Sequence, residues 1–466
     1  MDSCDILVIG AGPAGMEAAL AASAGGARVI VVERAPWPGG NIFRHHGLVR
    51  SSGAGRARRP GDALKRRFLA SGCDIRLGCS VISAAADRSV VVAGPSGLQR
   101  IRARAVILAC GASERIIPFP GWTSPGVIGL AALTNMMKAD DAVPAGRIVL
   151  SGMGPLLYSA AWKAHGLGAD IAAIVDPLPL GDWLAALPRM LARPGLLSTG
   201  AYWMMRLRLA EIPILRHSHI REIRDQDDRK IVVVSQAGEA ERMIPADFVC
   251  AGHGLRPNTE VTRLIGAEHE FLAARGGLVP VLTEDSETTV PGYFVAGDSG
   301  GIAGAESALR HGAQLGRHVA ALLGKPAPVS RVSAIWSACR MRMASSFGRA
   351  MAGLAAPREE LYDMIGDDTV ICRCEEVTRA EYCHELVNPH AAKMRTRCGM
   401  GPCQGRYCGD TAAFLLARHR DLPMAQAERW TPRLPIFPTS IDELIGDFQD
   451  SDLVSSAASA AERGLL

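Results

Sequence analysis

Apolar residues fall in short runs along this chain, and the first, Ile6-Leu-Val-Ile9, stops at Gly10-Ala-Gly-Pro-Ala-Gly15. Helix-forming residues follow at 16–24, and a β-branched run at 28–32 closes the segment. Continuous apolar runs bounded by turn residues read as buried strands, so the pattern predicts strand, glycine turn, helix and strand: a βαβ unit. The pattern recurs. Ile148-Val-Leu150 is apolar, Gly152-Met-Gly-Pro155 turns, a helical stretch runs to Gly168, and the apolar run 171–175 ends in Asp176. Two nucleotide-type folds are expected in one α/β chain.

Between them, residues 105–112 have the pattern of a buried strand, and Pro118-Phe-Pro-Gly-Trp122 is a breaker cluster suited to a crossover, which sets a boundary near residue 117. Short apolar strands return at 244–252 and 291–300 and are read as the first domain being completed after an insertion. The expected division is a discontinuous first domain (1–117 and 245–325), a second domain (118–244) with a helical insert at 178–212, a helical connection (326–365), a cysteine-bearing domain (366–420) and a tail (421–466) that frays from about Asp450. The insert contains Trp183, Trp203, Met204 and Met205. It reads as a helical pair covering the second domain or as a docking surface, since aromatic, Met and Arg side chains are enriched in interface cores. Residues 334–355, with Arg340-Met-Arg-Met343, read as a core-packing helix or a membrane-surface helix.

Composition narrows the class. At 466 residues the chain exceeds the size of a single core, and 48% hydrophobic with 21% charged residues excludes a disordered or fibrous protein. A net charge of +4 without a dense basic run gives no reason to expect a nucleic-acid partner. No apolar stretch reaches the roughly 18 residues of a membrane span, and the N-terminus lacks the basic flank and cleavage site of a secretory signal, so a cytoplasmic location is expected. There the 12 cysteines stay reduced, and the six between Cys372 and Cys408 point to a metal centre rather than to disulfides.

In the first turn, Gly10 permits the bend, Gly12 lets backbone approach a pyrophosphate, and Gly15 lets helix pack on strand. Pro13 and Ala14 begin the helix, whose free N–H groups and dipole favour phosphate. Glu33, ending the second strand, is placed to accept from ribose hydroxyls. The second turn keeps Gly152 and Gly154 but has Leu157 in the third glycine position, which should push its helix outward or change its packing. Asp176 stands where a ribose acid would be. This site is left open between NAD(H), another adenine nucleotide and no ligand. No C-x-x-C pair is present, which disfavours thiol–disulfide chemistry.

Near the end, Cys372-Arg-Cys374 and Cys398-Gly-Met-Gly-Pro-Cys403-Gln-Gly-Arg-Tyr-Cys408 bracket a short helical stretch. Iron–sulfur clusters take four thiolates, whereas structural zinc prefers C-x₂₋₄-C knuckles; the C-x-C pair tilts the choice to iron, with structural zinc as the other reading. Arg373, Arg379, Lys393, Arg395, Arg397 and Arg406 could balance the negative charge of such a cluster.

Several motifs carry a resemblance. Glu33-Arg34 with Gly39-Gly40, Ala109-Cys110-Gly111-Ala112 and Gly297-Asp298 resemble the two-dinucleotide-domain flavoprotein reductases, which implies FAD in the first domain, with Asp298 on the ribityl chain. The C-x-C and Gly-Met-Gly-Pro-Cys-Gln-Gly pair resembles a bacterioferritin-associated-ferredoxin-like [2Fe-2S] domain, which implies Cys372, Cys374, Cys403 and Cys408 as ligands, Cys398 as a spare and Cys383 as core; the alternative set exchanges Cys408 for Cys398. With Cys110-Gly-Ala-Ser-Glu-Arg-Ile-Ile-Pro118 and Gly154-Pro-Leu-Leu157, the whole chain resembles the α subunits of opine oxidases, hydrogen cyanide synthase and heteromeric proline or hydroxyproline dehydrogenases. The resemblance implies an electron-transferring subunit with no substrate chemistry of its own. Its expected partners are an FAD-containing, amino-acid-oxidase-like β subunit, together with a small ferredoxin-like subunit. Electrons would pass onward toward the respiratory chain, by peripheral association with the inner face of the cell membrane, or toward another acceptor. The competing readings are a self-sufficient NAD(P)H-dependent reductase and a nucleotide-binding assembly subunit. No residue reads as a substrate base: His45 and His46 read as loop histidines after Gly40, and His253 as a loop residue beside the flavin.

Overall fold

The structure, a computed structural model, describes residues 2–44, 61–227, 229–236, 239–327, 331–386 and 388–445. His45, His46 and the tail beyond residue 445 lie outside the described residues.

Asp2–Ile9 runs parallel to Val29–Glu33 on one side and to Gly97–Leu108 on the other, in a seven-stranded sheet. Asp74–Leu77 extends the parallel edge. Along Gly97–Leu108 the first half pairs with an antiparallel meander, Ser80–Ala84 and Ser89–Gly94, and the second half pairs in parallel with Tyr293–Val295. Helices Pro13–Ser23 and Ala305–Leu322 cross on this sheet. A Cβ on Gly312 would lie 2.1 Å from the Ala14 carbonyl oxygen and one on Gly316 2.2 Å from that of Ala18, so glycine alone lets the two backbones meet.

The second sheet has five parallel strands in the order Ile214–Arg216, Asp170–Asp176, Arg147–Gly152, Phe248–Gly252, Val127–Gly129. Phe248–Gly252 thus belongs to the second sheet and corrects the reading of residues 244–252 as a return to the first. An apolar run identifies a buried strand, but its pattern does not say which sheet accepts it. The crossing back is made by Leu255–Pro257, paired antiparallel with Ala112–Glu114.

The insert forms two helices, Leu180–Met190 and Pro194–Leu209. Trp183, Met204 and Leu207 pack into the second core, while Leu180, Leu184, Leu191 and Leu209 are more than half exposed. Helix Arg331–Leu354 packs beside Leu180–Met190 and joins both nucleotide-type domains: a Cβ on Gly348 would lie 1.7 Å from the Ala303 carbonyl oxygen, and one on Gly254 2.4 Å from that of Ala355. Its second half is core-packing, with Ala344, Ala350, Ala352 and Leu354 buried, while Ile335 and Trp336 face solvent. Among the described residues no helix is long and apolar enough to cross a membrane.

The cysteine region is built on a two-stranded ribbon, Val370–Cys372 with Val377–Thr378, and on helices Arg379–His384, Pro389–Thr396 and Cys408–His419. Thr378 and Glu381 form a capping box that starts the first helix, and Asn388 caps the second by accepting from Ala391 N–H at 2.8 Å. This region shares a core with the crossover: Ile117 and Met153 pack with Tyr362, Ile371 and Cys372.

Candidate functional site

The first glycine turn is shaped for close approach. Gly10 has φ +102°, and a Cβ there would lie 2.5 Å from the Ala109 carbonyl oxygen; a Cβ on Gly15 would lie 1.8 Å from that of Gly10. A Cβ on Gly12, by contrast, would come no nearer than 3.9 Å to Gly40 Cα, and the part-buried Gly12 leaves the backbone accessible where helix Pro13–Ser23 begins. Glu33 accepts from Ala11 N–H at 2.7 Å and from Ala35 N–H at 2.8 Å, which fixes the carboxylate at the turn with lone pairs left for hydroxyl donors. Arg34 lies over the Phe437 ring at 4.5 Å.

Across the sheet end, Gly111 N–H donates to Ser299 Oγ at 2.8 Å, and Asn258 donates from its side chain to the Cys110 carbonyl at 2.8 Å. Asp298 accepts from Ala303 and Gly304 N–H at 2.9 and 3.1 Å, tying the Gly297–Gly300 turn to the start of helix Ala305–Leu322; burial raises its pKa. His311 accepts from Gly297 N–H at 3.2 Å. Ser299, Asn258 and His311 were not singled out from sequence; each is a lone polar residue whose importance lies in the backbone group it meets. Cys110 is pushed up to about 12 by burial, so its thiol is not a nucleophile at neutral pH.

The second turn is filled by the chain itself. Gly154, at φ +75°, is buried, and a Cβ there would lie 3.5 Å from Ala355 Cβ and 3.7 Å from the Met351 carbonyl oxygen. Asp176 is fully buried and accepts from Tyr158 Oη at 2.6 Å and Leu178 N–H at 3.0 Å. Glu114 sits over the sheet end, where a Cβ on Gly129 or Gly252 would strike its carboxylate oxygens at 2.1 and 2.3 Å, and it accepts from Ala131 N–H at 2.8 Å. Leu157 is fully buried among Leu133, Leu150 and Ile171. The side chain that replaces the third glycine has become part of the second core. His253 is buried in the crossover and accepts from Ile117 N–H at 3.1 Å, and burial lowers its pKa to about 4; it holds the chain in place as a neutral ring.

The cysteines converge. Cys372, Cys398 and Cys408 are buried, with their sulfurs within 4.8 Å of one another. Cys403 meets both Cys408 and Cys374; the shared contacts pull Cys372 and Cys403 below the ordinary thiol value and push Cys398 and Cys408 above it, so the thiols share their protons unevenly. Thiolate is the metal-binding form, and iron and zinc both take it. Cys383 is half-buried against the region's core. The glycines of the loop are needed: Gly399 and Gly405 have φ +81° and +77°, and a Cβ on either would strike the Trp430 ring at 2.3 and 3.0 Å. Of the six expected cations, Arg379, Arg395 and Arg397 are paired with Asp367, Glu385 and Glu375, which reduces what they can offer a cluster. Arg373 lies over Trp122 and Lys393 over Trp430. Arg406 reaches the Cys403 and Ile436 carbonyls.

The two sites share one body. Asp410, in the helix that Cys408 begins, pairs with buried Arg115 at 3.4 Å, and Phe437 is sandwiched between Arg34 and Arg406.

Residues 4–312 match the pyridine nucleotide-disulphide oxidoreductase family. The chain belongs to this family. Its relatives among these oxidoreductases bear out the resemblance read from the motifs: it is 34% identical to an opine oxidase subunit of Agrobacterium tumefaciens (strain Ach5), over 95% of this chain and 92% of that one. It is 30% identical to the HcnB subunit of hydrogen cyanide synthase from Pseudomonas aeruginosa, over 93% and 96%. In fold it is similar to L-proline dehydrogenase from P. horikoshii, with a TM-score of 0.69 at 20% identity over 95% of this chain and 79% of that chain. T. acidophilum thioredoxin reductase matches in fold with a TM-score of 0.51 at 20% identity over 69% of this chain and 99% of that chain.

Proposed function

We propose that this oxidoreductase is the electron-relay subunit of a heteromeric dehydrogenase or oxidase, carrying FAD and a [2Fe-2S] cluster. An amino acid, imino acid or opine would be oxidised on a partner FAD-containing, amino-acid-oxidase-like subunit, and a small ferredoxin-like protein would be a further member of the complex. The observation that carries the reading is the joining of an accessible dinucleotide turn and a five-thiol cluster in one packed body, through Arg115–Asp410 and the Arg34–Phe437–Arg406 stack. The donor set suits both groups. Gly10, Gly12, Pro13, Ala14 and Gly15 would meet the pyrophosphate and Glu33 the adenosine ribose. Arg34, Gly40, Ala109 and Gly111 would flank the cofactor, and Gly297 and Asp298 would meet the ribityl chain. When bound, a flavin supplies a carrier that takes two electrons and can release them singly, and the cluster supplies a one-electron carrier.

Cys372, Cys398 and Cys408 form the buried trio and Cys403 reaches Cys408 and Cys374, so the contacts suit either set; we take Cys372, Cys374, Cys403 and Cys408 as the ligands on the motif resemblance, with Cys398 beside them. In the second domain, the enclosure of Gly154 and Asp176 by the chain's own residues supports a structural role and not NAD(H) turnover. Protein purified alone should contain flavin with iron and acid-labile sulfide, and should leave an added amino or imino acid unoxidised until a partner is supplied. Rapid bleaching of the flavin by NADH alone would overturn the relay in favour of a self-sufficient reductase. Cys408→Ser should lose the cluster spectrum and Cys398→Ser keep it; the reverse result would select the alternative ligand set.

A further inference from the structure

Beside the thiol loop lies a cavity of about 730 Å³ between the segment 256–263, the loop around Gly399 and Gly405, and the chain at 429–436. Its size is that of a small-molecule site, typically about 300–1,000 Å³. Six cations line it (Arg256, Arg263, Lys393, Arg406, Arg429 and Arg433) against two carboxylates, Glu260 and Asp410, a surplus of four positive charges. Burial, joined by like-charge repulsion from Arg429 and Arg256, lowers the pKa of Arg263 to about 10, and burial likewise lowers that of Arg429. The cations remain gathered against this cost.

Their hydrogen bonding is incomplete. Arg256 reaches Glu260 at 3.1 Å through one terminal nitrogen, but its Nε has no partner; Arg429 donates to the Ala427 carbonyl at 3.1 Å, while its Nε and second terminal nitrogen are buried without acceptors. These nitrogens are enclosed by protein and do not open on the cavity; what marks a place for an anion is the surplus positive charge of the side chains that carry them. Leu278, Met394, Met400, Trp430 and Ile436 supply an apolar part of the wall, which suits an organic body attached to the anionic groups.

We propose that this cavity is a binding site for a small organic polyanion bearing two or more negative charges, with its oxyanion groups on Arg256 and Arg429 and its carbon part against Trp430. Guanidinium forks suit phosphoryl and carboxylate groups alike. The lining shares no residue with the dinucleotide turn; Lys393 and Arg406 also face the cysteines, so the surplus that the cavity keeps for a ligand rests on Arg256, Arg263, Arg429 and Arg433.

The test is calorimetric titration of the full-length protein, at constant ionic strength, with pyrophosphate in one arm and citrate in the other. Saturable binding of about one equivalent is expected from at least one arm, and the arm that binds distinguishes a phosphoryl from a carboxylate ligand. Arg429→Gln should weaken it by about tenfold or more, the scale of one charge-assisted hydrogen bond. Arg433→Gln, at an exposed position on the cavity wall and without consequence for folding, should weaken it by a smaller factor, while Arg242→Gln, exposed in the second domain, should leave it unchanged. Absence of saturable binding in both arms, or equal binding by wild type and Arg433→Gln, overturns the proposal even if Arg429→Gln fails to fold.

Discussion

The turns at Gly10–Gly15 and Gly152–Leu157 begin from nearly the same sequence and end as opposites. In the first, three glycines bring helix onto strand and leave the helix start facing a groove, with Glu33 fixed beside it. In the second, Leu157 is core, Asp176 is bonded to Tyr158, Glu114 lies across the sheet end, and residues 351–355 lie against Gly154. A βαβ unit is therefore a scaffold, and whether it binds a dinucleotide is decided by what the rest of the chain places over its turn.

Several substitutions would break or sharpen this contrast. Gly15→Val should have the largest effect: a side chain placed 1.8 Å from the Gly10 carbonyl oxygen separates helix from strand, and flavin content with the thermal transition of the first domain should be lost together. Retained flavin would show that the first turn does not need its close packing. Leu157→Gly, which restores the glycine pattern in the second turn, should cost about 3–5 kcal/mol from cavity formation and a glycine in a helix, and should give no NADH-dependent bleaching. Gained NADH reactivity would mean that the missing glycine, and not the covering residues, closes the site.

Glu114→Gln tests the acid at the second sheet end. Burial pushes its carboxyl up from 4.5 to about 8, against backbone donors at Ala131 and Leu130 that pull it down. The native state then holds a proton that the unfolded chain gives up near 4.5, so this stabilisation is complete below about pH 4.5 and is lost as pH rises through about 8. The variant should show a flatter decline in denaturant midpoint across that window. An unchanged slope would place the proton elsewhere. Asp176→Asn should cost about 1–3 kcal/mol in chemical denaturation, since one amide oxygen can accept from Tyr158 or from Leu178 N–H but not from both.

The βαβ units, the expected flavin turn and the thiol cluster were legible because each is local: an apolar run, a glycine turn and cysteines close in sequence. What escaped was long-range. The cover at Gly154 comes from residues 351–355, and the destination of Phe248–Gly252 depended on strand pairing that an apolar run does not encode. Cys398, read as a spare beside the ligands, lies in the buried trio with Cys372 and Cys408, past the αL turn at Arg397. The arginines around Trp430 are scattered from residue 256 to 433, and only folding gathers them.

Helix Arg331–Leu354 touches Ala303 in one nucleotide-type domain, and the residue after its end, Ala355, touches Gly254 and Gly154 in the other, at spacings that admit no side chain on Gly348 or Gly254. A rod fastened at both ends is a brace. It ties the two halves through Gly348 and Gly254, so a side chain added at either glycine would shift one half against the other.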